Sequence, residues 1–480
     1  MKIIKKFKVF LMILLLIPCF FLFSACSQEP YVVKIERTET VGNYETYTIT
    51  YSDGTTSTFT IENGTDGEDG QDVTIESIFE YCVSQGMYEE SEFAQFLKDY
   101  LSIEYDENND QLATNKAMLS AVTVYAEQPT ITLNRPGHWA PDTQISCGAG
   151  VIYKMDDEYS YIITNYHVVY YAGSMTSNKI GKNIYIYQYG VDEDIVKYEN
   201  TNNDDGYPLV EFNGGAVKCE YLGGSMNYDI AVLRVSTQDL LDNNPSARAV
   251  DIADSYSVAD TAIAIGNPEG EGISVTKGIV SVESEYLTME GADEETIITF
   301  RVMRIDTAVN GGNSGGGLYN SNGELIGIVN AKAVYSSDNT PLDNYAYALP
   351  VDNVTKVADN IIYNFAKDNT STGVVKLDLG LTVTSQNSKV TYSSNKFTIT
   401  DDAVITAVSD TTIADFQEGD IIKSIQINGT TYEITRAFQF GDMLLTVREG
   451  DDIIIKVMRD GAETNITLLD VSSDNFTHVI

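Results

Sequence analysis

The rhythm of apolar and polar positions changes several times along the chain, and each change marks an element. MKIIKKFK is basic, and Val9–Phe23 is an apolar run closed by Ser24-Ala25-Cys26. Further on, Tyr47–Tyr51 (YTITY) and Thr58–Ile61 (TFTI) alternate apolar or aromatic residues with threonine, and Ser52-Asp53-Gly54 supplies a turn between them. Such alternation puts one strand face in a core, so a β-hairpin is predicted. Asn63–Asp72 (NGTDGEDGQD) has glycine every third residue. Its few proline-free triplets cannot sustain a collagen helix, and the spacing is not that of an EF-hand loop. It reads as an acidic linker, with a weak cation site as the alternative. From Val73 to Leu101 the period becomes helical: Phe93, Phe96, Leu97, Tyr100 and Leu101 form one stripe, and Gly86 divides the region into two helices.

After the acidic loop Asp106–Asp110, Ala117–Glu127 reads as a helical turn entering a strand. Short strands follow: Gly150–Tyr153, Tyr161–Thr164, Ile184–Tyr187, Ile230–Val235, Thr261–Ile265, Gly278–Val282, Leu325–Val329 and Tyr345–Leu349. Turn signals separate them, which argues for an antiparallel barrel or sandwich. Asn202–Tyr207 (NNDDGY) and Gly291–Glu295 (GADEE) read as protruding loops, and Val354–Phe365 as a closing helix. Strand patterns recur at Val374–Val383, Val404–Val408, Asp420–Ile427, Asp452–Arg459 and Glu463–Leu468, with a helical one at Ala437–Val447. The expected partition is a leader (1–25), hairpin and linker (26–72), helical region (73–112), main domain (113–368), linker (369–373), small domain (374–472) and tail (473–480).

Charge narrows the function. Seventy acidic against 30 basic residues give −40, and loss of Lys2, Lys5, Lys6 and Lys8 with the leader would make it −44. A chain this acidic repels phosphate backbones, so nucleic acid is excluded as a partner. The leader resembles a bacterial lipoprotein signal, with cleavage before Cys26 and lipid on its thiol, although Phe23 stands where leucine is common. The alternative is an uncleaved anchor; both place the remainder outside the cytoplasm, tethered to a membrane. Cys82, Cys147 and Cys219 permit at most one disulfide and are expected as buried free thiols. No Cys/His cluster has metal-ligand spacing, so neither metal nor cofactor is expected.

The candidate chemistry centres on Asn310–Leu318, NGGNSGGGL. Glycines around Ser314 would expose its hydroxyl beside free backbone N–H groups, as acyl transfer requires, though the stretch alone suits a surface turn equally. A base is needed, and the chain has three histidines. His138 lies in a proline-flanked loop and His478 in the tail, whereas His167 ends a strand (IITNYHVV). Asp229 is the lone charge before the apolar strand Ile230–Leu233, so it is expected buried and partnered.

The order His167, Asp229, Ser314 is that of chymotrypsin-type proteases. TNYHVV, YDIAVLRV, GNPEGEGISVTKGIVS, IDTAVNGGNSGGGL, NGELIGIVNA and YALPVDNV resemble, in order, segments of the HtrA (DegP/DegS-like) serine proteases across Gly148–Val354. The resemblance implies a mainly β protein: a chymotrypsin-like pair of six-stranded antiparallel β-barrels over 113–368, with His167 and Asp229 on the first and Ser314 on the second. It implies a serine endopeptidase acting on unfolded or exposed polypeptides, an oxyanion hole at Gly312-Asn313-Ser314 using the Gly312 and Ser314 N–H groups, and Ala308 at the base of the specificity pocket. Without an acid there, small aliphatic side chains are favoured over Lys or Arg. Family members form trimers. FQEGDIIKSIQING and VREGDDIIIKVMRDGAETNITLLDV resemble the second half of a PDZ domain, which binds peptide C-termini; Leu379-Gly380-Leu381 best matches its carboxylate loop. Gly311 and Gly317 stand where family members carry proline, so the oxyanion turn is expected unformed at rest. The competing readings are a peptide-binding, chaperone-like surface protein with a weak site, and a surface protein binding through its N-terminal hairpin and helices.

Overall fold

The computed structural model describes residues 32–41, 44–52, 54–62, 79, 82–84, 109–135, 137–188, 195–332, 345–370, 373–393 and 396–479. The leader, Cys26 and the Gly-rich linker lie outside these residues. Of the predicted helical region 73–101, residues 79 and 82–84 are described, and they are helical. The chain divides into two compact units, Met1–Asn109 and Asp110–Ile480.

The first unit contains an antiparallel meander, β1 (Val32–Val41), β2 (Tyr44–Tyr51) and β3 (Thr56–Glu62). The predicted hairpin is β2–β3, with the Tyr47 and Phe59 rings stacked at 5.3 Å. Strand β1 escapes the hydrophobic pattern because it is a charged edge: Lys34 pairs with Glu36, and Arg37 with Glu45 of β2.

The second unit opens with α1 (Asn109–Met118) and builds two closed six-stranded barrels. Along the chain come β4 (Ala121–Arg135), β5 (His138–Met155), β6 (Tyr159–Thr164), the one-turn α2 (Tyr166–Val169), β7 (Asn183–Gln188), the ribbon β8 (Val196–Asn202) and β9 (Pro208–Phe212), β10 (Val217–Ser225), β11 (Ile230–Ser236) and α3 (Thr237–Asn243). The first barrel closes in the order β10-β11-β6-β5-β4-β7 around Val122, Val124, Ile152, Ile162, Ile186 and Leu233. The second uses β12 (Thr261–Gly266), β13 (Ser274–Glu290), β14 (Ile297–Ile305), β15 (Gly317–Tyr319), β16 (Leu325–Lys332) and β17 (Ala346–Pro350), in the order β12-β13-β14-β17-β16-β15. The two predicted loops are the turns of β8–β9 and β13–β14. Helix α4 (Val351–Asp368) follows; its stripe of Val354, Val357, Ile361 and Phe365 joins one core with Leu222 and Val232 of the first barrel and Phe300 and Ile328 of the second. It stops at Asn369, whose left-handed φ of 50° lets its N–H reach the Phe365 carbonyl.

The C-terminal module comprises β18 (Val374–Leu377), β19 (Leu381–Ser393), β20 (Lys396–Val408), β21 (Ile421–Ile427), β22 (Thr430–Glu433), α5 (Ala437–Met443), β23 (Ile453–Arg459), β24 (Ala462–Leu468) and β25 (Phe476–Val479). Two expectations are corrected. Val374–Val383 is two strands, because Asp378 accepts the Gly380 N–H and turns the chain. The supposed tail is β25, paired with β18, since Phe476 and Val479 pack on buried clusters.

The module is welded to the barrels by a buried arginine and its carboxylate partners. Arg301 of β14, its side chain 4% exposed, bonds Asp352 of α4 at 2.6 Å and Asp442 of α5 at 2.9 Å and lies over the Phe438 ring. Burial pushes the Asp442 carboxyl up even with this guanidinium beside it. Removing one partner of such a set leaves an uncompensated charge, so Arg301→Ala is expected to cost about 3–5 kcal/mol in urea unfolding followed by circular dichroism. A loss under about 1 kcal/mol, the range of an exposed pair, would show that the junction is solvated.

Candidate active site

Each barrel contributes one half of the site. In the first, β6 ends at Thr164, whose hydroxyl donates to the Ala149 carbonyl at 2.7 Å. Asn165 follows, then α2, which carries His167. The Asn165 amide donates to the Asp229 carbonyl at 2.8 Å, fixing the turn before β11 against the His167 helix. In that turn Asp229 holds a left-handed φ of 48° and is 7% exposed. Its Oδ1 accepts the His167 backbone N–H at 3.0 Å, and its Oδ2 lies 2.7 Å from His167 Nδ1. An ionised carboxylate only accepts, so Nδ1 carries the proton and Nε2 of the neutral ring is left as the basic nitrogen. Burial opposes charge on the imidazole, but the charge and hydrogen bond of Asp229 more than offset it, and the histidine pKa is raised.

The second barrel supplies Ser314 on the turn between β14 and β15. Its hydroxyl donates to the Asn330 carbonyl at 3.0 Å, and no hydrogen bond joins it to His167 among the described residues. Asn330 belongs to both halves, because its Nδ2 donates to Asp229 Oδ2 at 2.5 Å. His167, Asp229 and Ser314 thus meet around Asn330. Sequence reasoning missed this residue; the available signal was one amide inside the apolar strand LIGIVNA.

The serine turn touches its surroundings backbone to backbone. Ala149 N–H donates to the Ser314 carbonyl at 2.9 Å. Gly312, at φ 91°, has the Asn267 carbonyl oxygen where a Cβ would stand, and Gly315, at φ 85°, has the Ala149 carbonyl oxygen. The added glycines do not leave this turn loose. The carbonyls of Gly311 and Gly312 accept the N–H groups of Glu269 (2.8 Å) and Asn267 (3.2 Å), and Gly317 fits beneath the Tyr319 ring, where a Cβ would collide. Asn267, fully buried, also reaches the first barrel through Tyr125 and Gly148.

The Asn313 N–H, which is not among the expected donors, bonds the Asn310 carbonyl at 3.1 Å. The Gly312 and Ser314 N–H groups have no acceptor among the described residues. Ala308 is exposed, and its carbonyl accepts the Thr276 hydroxyl at 2.7 Å. His138 and His478 are exposed and outside this network. Cys82, Cys147 and Cys219 are free thiols, the first and last buried and Cys147 half-buried. In the C-terminal module, Leu379 is buried, Gly380 has φ 66° and Leu381 is half-buried. Leu379 and Leu381 line a cavity of about 460 Å³ with Val383, Phe438 and Phe440.

Residues 148–328 match the family described as Trypsin-like peptidase domain. The chain is 26% identical over 325 residues to the Serine protease Do-like HtrA of Lactobacillus helveticus, covering 65% of this chain and 68% of that protein. It is 29% identical over 341 residues to the Periplasmic serine endoprotease DegP of Escherichia coli K12, covering 69% and 58%. A solved structure, the HtrA-type protease AlgW with decapeptide, is 21% identical with a TM-score of 0.44 and covers 75% of this chain and 98% of that one, a likeness too loose to bear weight. Residues 148–328 thus carry a trypsin-like peptidase domain, and with its double barrel the chain is similar to the HtrA-type serine proteases and is a serine endopeptidase.

Proposed function

We propose that the protein is a membrane-tethered protease of the cell exterior that cleaves unfolded or exposed polypeptides through an acyl-enzyme. The observation that carries the site assignment is the network joining His167, Asp229, Asn330 and Ser314. Ser314 Oγ attacks the peptide carbonyl carbon as its proton passes to His167 Nε2. The tetrahedral intermediate collapses when the imidazolium gives that proton to the leaving amine; water then releases the acyl group by the same route. Asp229 holds the productive tautomer and stabilises the imidazolium. The Gly312 and Ser314 N–H groups, without acceptors among the described residues, receive the developing oxyanion. The resting Ser314 hydroxyl must leave the Asn330 carbonyl to reach Nε2, a tightening common on substrate binding. Ala308 gives the pocket base no counter-charge for Lys or Arg, which supports small aliphatic P1 side chains.

Tethering is proposed through lipid on Cys26, from the leader pattern. No helix among the described residues is long and apolar enough to cross a membrane. The cavity that Leu381 and Val383 of β19 line together with Phe438 and Phe440 of α5 supports a peptide-binding groove of PDZ type, although Arg301, Lys376 and Asp442 make its wall largely polar. Its carboxylate loop is short of a donor, because the Gly380 N–H is already held by Asp378 at 2.8 Å.

Four outcomes are expected. Ser314→Ala abolishes labelling by a fluorophosphonate probe and lowers kcat on casein by roughly 10⁴–10⁶; turnover surviving this change refutes the nucleophile. Because the base must be neutral and its pKa is raised, kcat/KM should fall on acidification with a midpoint above the ordinary histidine value of about 6.5. Asp229→Asn should move that midpoint down and cut kcat by about 10⁴, and an unmoved midpoint would separate the limb from His167. Gly312→Ala, forced against the Asn267 carbonyl, should cost about 10²–10³ in kcat with unchanged probe access.

A further inference from the structure

The outer half of the β4–β5 hairpin is inside out. Beyond residue 128 the two strands pair with each other and no longer with β7. The register Ile131↔Pro141 and Leu133↔Trp139 puts these four residues on one ribbon face, and Thr130↔Asp142 and Thr132↔Ala140 put those on the other. The polar face is the covered one. Thr132, Ala140 and Asp142 are half-buried, and Thr130 and Thr132 both bond Asp142. The apolar face is wet: Ile131 is 42% exposed, Leu133 52% and Trp139 68%.

We infer that this tip inserts into the interfacial layer of the membrane to which the chain is tethered, an inference that rests on the tethering proposed above. Three observations favour lipid over a protein partner. The face is small: three such side chains offer on the order of 400 Å², about half of the ~800 Å² each partner gives a standard interface. The strand edges are blunted by Pro129 and Pro141, which lack the N–H a docking strand would need. Segment 129–143 holds one arginine and one aspartate, neutral in a chain of −40. It therefore enters by apolar transfer, without the net positive charge that draws a segment to anionic headgroups, and tryptophan is the side chain best suited to that layer.

Trp139 is the only tryptophan in the sequence, so its fluorescence reports the tip alone. The full chain is reconstituted with phosphatidylcholine vesicles, floated on a density gradient and read by Trp139 emission, with and without acyl chains brominated near the interface. Expected are a blue shift on flotation and quenching by the brominated lipid, both insensitive to added salt. Both should be lost in a variant combining Ile131→Asp with Leu133→Asp that still hydrolyses casein at the parent rate. A floated protein whose Trp139 stays at its aqueous wavelength overturns the insertion but leaves the tether standing. Failure to float overturns both. A blue shift that appears without lipid and grows with protein concentration also overturns the inference, because a second copy then covers the tip.

Discussion

The structure depends on one close approach, that of the Asn310–Leu318 turn to the chain segments around Ala149 and Asn267. Carbonyl oxygens of both segments occupy the space that side chains at 312 and 315 would need. Main chain therefore meets main chain, and hydrogen bonds from Ala149, Asn267 and Glu269 hold the turn from two sides. Two barrels that share only a hydrophobic seam could slide, because apolar contact is not directional. Hydrogen bonds are directional, so this seam fixes where the serine hydroxyl sits relative to the imidazole of the other barrel.

Asp229 is the second fixed point. A carboxylate 7% exposed is unfavourable unless it is hydrogen-bonded, and here a backbone N–H, an imidazole and an amide all reach it. The left-handed backbone at this residue costs roughly 1 kcal/mol, which those bonds offset. The arrangement ties basicity to position: the contact with Asp229 that orients the ring also raises its basicity. Asn330 extends this order to Ser314, because its side chain serves the carboxylate while its carbonyl holds the hydroxyl.

The same logic recurs at the junction with the C-terminal module. Arg301 is almost completely buried, yet two carboxylates and an aromatic face surround it. Asn360 reinforces the weld, bonding the Val375 and Leu445 carbonyls and accepting the Val375 N–H. Directional polar contacts thus set the angle between the barrels and the module, and the apolar stripe of α4 supplies the burial.

The sequence by itself determined most of the barrels' strands, though not β10, β14 or β15, because alternation of period two survives where one strand face is wet and the other dry. It also singled out the three residues that the structure brings into one network, since a glycine-crowded serine, a strand-end histidine and a lone aspartate before an apolar strand are each conspicuous among their neighbours. Strand β1 and the closing strand β25 were not legible, the first because charged cross-strand pairs mask its pattern, the second because four residues carry too little period. Asn330 shows the remaining limit: its contacts with Asp229 and Ser314 were not anticipated. Which acceptor an amide or a backbone N–H finds is decided by residues remote along the chain. That choice exists only once the barrels have closed and met.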